Sequence, residues 1–69
     1  MKHQILDSLC YYASRFDIPA IKKDVEALFQ KHGDSISEIR TGANDIASYF
    51  LDGADLKNCL QDIADICNA

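Results

Sequence analysis

Apolar residues recur along this chain at three- and four-residue steps, and strict alternation never extends beyond a few residues, so the spacing predicts helices throughout. The clearest run lies between Asp34 and Leu51, where Ile36, Ile39, Ala43, Ile46, Ala47 and Phe50 collect on one face. Ser35 stands three residues before Glu38, the spacing of a capping box in which each side chain satisfies a backbone N–H at the helix start. Gly53 lies just past the end, where a left-handed residue is favoured. A core helix over 35–51 is expected, with Ile39, Ile46 and Phe50 among the most buried side chains. Thr41-Gly42 is its weak point, since a mid-helix glycine costs roughly 1 kcal/mol relative to alanine. Asn44-Asp45 offers a cap for a fresh start there, but one helix, bent at most, is the expectation. Close packing against a neighbouring helix explains the glycine equally well.

Three further helices follow from the same pattern. Over residues 2–16, Ile5, Leu6, Leu9, Ala13 and Phe16 form one stripe, with Cys10 and Tyr12 at its edges. Arg15 suits the negative pole at the end of that helix. Asp17-Ile18-Pro19 interrupts, because proline disfavours a helical residue before it yet fits the first turn of a new helix. Asp17 is the expected cap. Over 19–32, Ile21, Val25, Leu28 and Phe29 line a face, and Lys31, His32 and Gly33 close the helix. Over 55–67, Leu56, Cys59, Leu60, Ile63, Ile66 and Cys67 point inward. The expected fold is all-α, a bundle of about four short antiparallel helices in a single domain covering 1–69.

Charge changes the picture more than composition does. The chain of 69 residues carries a formal net charge of −4, unevenly spread. Residues 1–33 set Lys2, Arg15, Lys22, Lys23 and Lys31 against Asp7, Asp17, Asp24 and Glu26, a net +1. Residues 34–69 set Arg40 and Lys57 against Asp34, Glu38, Asp45, Asp52, Asp55, Asp62 and Asp65, a net −5. An acidic half repels phosphate backbones and is compatible with a basic protein partner. Solubility alone also accounts for many such residues.

Chemical signatures are absent. His3 and His32 lack a Cys or His partner at metal-ligand spacing, and the aspartates lack the alternation and central glycine of a calcium loop. No phosphate-cradling glycine loop or nucleophile-elbow motif occurs. Neither a cofactor nor an enzymatic activity is expected. No apolar run approaches the ~20 residues that span a bilayer, and the first ten residues read as part of the fold, not as a signal peptide. Cys10, Cys59 and Cys67 form no disulfide framework, so reduced thiols in a cytoplasmic setting are expected.

The function expected from this pattern is protein–protein interaction. Tyr11 and Tyr49 fall off the apolar stripes of their helices, and exposed tyrosines are enriched where surfaces meet partners. Asp55, Asp62 and Asp65 share the side of the last helix opposite its apolar face, where they should be solvent-exposed and free to meet a basic partner. These five are the candidate partner-binding residues. A core this small also favours self-association as a homodimer. The class is a small regulatory or inhibitory protein, such as an adaptor, an anti-activator or a phage- or plasmid-type inhibitor. The alternative is a helix-turn-helix DNA-binding regulator, hosted at Gly33-Asp34, with Ser35, Ser37, Arg40 and Asn44 following, or at Asp52-Gly53. Each site offers few cations for that role.

Overall fold

A computed structural model describes residues 2–68, which form four helices: α1 (Lys2–Arg15), α2 (Pro19–His32), α3 (Ile36–Phe50) and α4 (Gly53–Asn68). The connections are two or three residues long, so consecutive helices pack as neighbours. Both α1 and α3 touch every other helix, whereas α2 and α4 stand at opposite corners and do not meet. The core sits where the buried residues of all four converge: Ile5, Leu9, Tyr12 and Ala13 of α1, Ile21 and Val25 of α2, Ile39, Ala43 and Ala47 of α3, and Cys59 and Ile63 of α4. The all-helical bundle read from periodicity is the fold of the chain.

The turns differ from expectation in their chemistry. Asp17 does not cap α2: its backbone is left-handed, with φ of 55°. It closes α1 instead. Ile18 N–H donates to the Ala13 carbonyl at 2.8 Å and Asp17 N–H to that of Ser14 at 3.4 Å, the paired bonds that satisfy the last carbonyls of a helix. Ile18 then packs against the core, and Pro19 opens α2, which has no side-chain cap.

The capping box at Ser35 does not form either. Ser35 occupies the cap position without a side-chain bond, its own N–H donates to the His32 carbonyl at 3.1 Å, and the Glu38 carboxylate turns back across the turn. Its Oε2 lies 2.6 Å from His32 Nδ1. Gly53 is left-handed at φ 56°, but at the entry to α4 and not at the exit of α3. That exit is made by extended Leu51, whose N–H donates to the Ala47 carbonyl.

α3 runs unbroken through Gly42. A β-carbon at that position would collide with the Leu28 side chain of α2, overlapping Cδ1 and standing 3.1 Å from Cγ. The glycine is therefore a close-approach residue. Ile39, Ala43 and Ala47, spaced by four, are all fully buried, while Ile46 and Phe50 are only partly so. Each of those two follows an inner alanine by three residues, which places it about 60° to one side of the inner strip. The expectation that Ile46 and Phe50 rank among the most buried residues is thus corrected; of the three, Ile39 alone holds that place.

Two substitutions test these assignments. Asp17→Gly should stabilise the fold by about 1 kcal/mol, because glycine carries no penalty in the left-handed region. Urea unfolding showing no gain would remove the strain assigned to Asp17. Gly42→Ala should destabilise by about 1 kcal/mol net, overpacking against Leu28 exceeding the gain in helix propensity. In a Leu28→Ala background the same change should become neutral or stabilising, a coupling that a double-mutant cycle reads directly.

Candidate interaction surface

The residues expected to meet a partner fall into two groups. Tyr11 projects from α1 with 52% of its surface exposed, and Tyr49 projects from α3 with 82% exposed. Tyr49 packs edge-on against Phe50, with ring centroids 4.9 Å apart. Tyr11 lies 5.1 Å from the ring of Tyr12, and Tyr12 is the residue that sequence reasoning underrated. Placed at the edge of the stripe by its spacing, it is only 8% exposed. Its hydroxyl donates to Asp62 Oδ2 of α4 at 3.1 Å, across a separation of fifty residues. Tyr12 and Asp62 are thereby brought together across the α1–α4 seam.

This contact corrects the picture of a free acidic stripe on α4. Asp62 is exposed but engaged by Tyr12, and Asp55 is half-buried. Asp65 is exposed and accepts a bond from Gln61 Nε2 at 2.8 Å. The flank of α4 that carries Asp62 faces α1, not open solvent on all sides. The signal was a tyrosine hydroxyl that, on burial, needs a polar partner; nothing in the sequence said which of seven acids in the second half supplies it.

The seam has a defined electrostatic character. Burial, then the hydrogen bond and negative charge of Asp62, push the Tyr12 phenol up to about 12. Burial and the same carboxylate push the Cys59 thiol up to about 11. A thiol so raised and enclosed is a packing group, not a nucleophile. Cys10 and Cys67, also unpaired, are half-buried.

Two shallow grooves lie elsewhere. One, of about 380 Å³, is lined by Cys10, Ala13, Ser14, Asp17, Pro19 and Lys22 at the α1–α2 elbow. The other, of about 310 Å³, runs along α2 and α3 beside His32, Glu38, Thr41 and Asp45. Among the described residues no three His, Cys, Asp or Glu side chains are placed to hold a metal ion, and no helix is long and apolar enough to cross a membrane. At the first proposed helix-turn-helix site, Arg40 and Asn44 are half-buried, and the Asn44 side-chain oxygen is sealed from solvent. Of the four residues expected there, only Ser35 and Ser37 are exposed, beside the exposed acids Asp34 and Glu38.

No family model matches the chain, and neither a curated protein nor a solved structure matches it.

The Tyr12–Asp62 contact has a pH signature. The phenol holds its proton more tightly folded than unfolded, so its contribution to stability is complete below pH 10 and is lost as pH rises from 10 towards 12. Ultraviolet titration of the folded protein should show one phenol ionising near pH 12. Tyr12→Phe should abolish that step and flatten the alkaline loss of stability, while costing about 1 kcal/mol at neutral pH. An unchanged alkaline profile in Tyr12→Phe would remove the seam contact as its source.

Proposed function

We propose that this chain is a small non-enzymatic regulatory or inhibitory protein that works by docking on another protein, in the manner of an adaptor, an anti-activator or a phage- or plasmid-type inhibitor. The observation that carries this reading is the exposure of Tyr11 and Tyr49 on separate helices. Each offers a rigid ring with a polar tip, which buries contact area at low entropic cost. The acidic second half, net −5 over residues 34–69, favours a basic partner and accelerates encounter with one. Three unpaired cysteines accord with a reducing, cytoplasmic setting.

Self-association as a homodimer belongs to the same proposal, and the tyrosines alone support it. The accessible surface of 4346 Å² is close to the roughly 4300 Å² expected of a compact monomer of this mass. The core therefore does not require a second copy, and a dimer would form through Tyr11 or Tyr49.

The decisive experiment is affinity capture from the native host, with sheared DNA assayed in parallel. Specific retention of one protein, weakened by Tyr11→Asp or Tyr49→Asp, is the expected result. Salt-sensitive retention of DNA without a protein partner would overturn the reading. Light scattering should give twice the chain mass, reverting to one in the Tyr→Asp variant at the interface, with thermal stability rising with concentration. A concentration-independent monomer would remove the dimer and leave the docking reading to the capture experiment.

A further inference from the structure

We draw no further inference here: the strongest candidate, the groove at the α1–α2 elbow lined by Cys10, Asp17, Pro19 and Lys22, is an open cleft holding a lone cysteine beside two exposed charges, and nothing in the structure shows what covers it.

Discussion

The bundle depends on how closely α3 can approach its neighbours. Gly42 faces Leu28 with no room for a methyl group, and the inner strip of the helix is closed by Ala43 and Ala47. Small residues let α3 touch all three other helices, including α1 on the diagonal. With that diagonal closed, α2 and α4 are held apart at opposite corners. The result is a flat body, 28 × 24 × 16 Å, whose radius of gyration of 10.7 Å fits the roughly 11 Å expected of a folded chain this long. Packing density, more than side-chain size, gives a 69-residue chain its core.

Polar groups are organised around the same packing. The described core contains no fully buried polar or charged residue, but on α3 the Asn44 side-chain oxygen is sealed from solvent without a hydrogen-bond partner among the described residues. At the margin stands Tyr12, whose ring belongs to the core and whose hydroxyl reaches Asp62 at its edge. One bond thus links α1 to α4, and Asp62 adds to burial, the larger cause, in raising the proton affinity of Tyr12 and of Cys59. The pair forms because a buried tyrosine needs an acceptor, and a carboxylate at the bundle edge supplies one while staying exposed itself.

The helices were legible because their signals are local. Stripes at three- and four-residue spacing, the Pro19 start and the Gly33 stop are properties of neighbouring residues, and the observed ends lie within two residues of those expected. Caps were less legible. Asp17 and Ser35 are residue types that often cap, yet Asp17 was drawn into closing the preceding helix, and Glu38 went to His32 in place of the Ser35 backbone. A cap competes with every other partner in reach, and those partners come from across a turn.

Taken alone, the sequence determined the all-helical class, the number and order of the helices, the asymmetry of charge, and the exposure of Tyr11 and Tyr49. Each follows from helical periodicity or from simple counting. Tertiary structure decided what depends on the azimuth of one helix against another: that Tyr12 is buried and bonded to Asp62, that Asp55 is half-covered, and that Phe50 and Ile46 lie off the inner strip. It also decided that Gly42 marks a contact and not a break. A helix's own sequence says which residues share a face. Only the neighbours packed on either side determine how far around the helix that face extends.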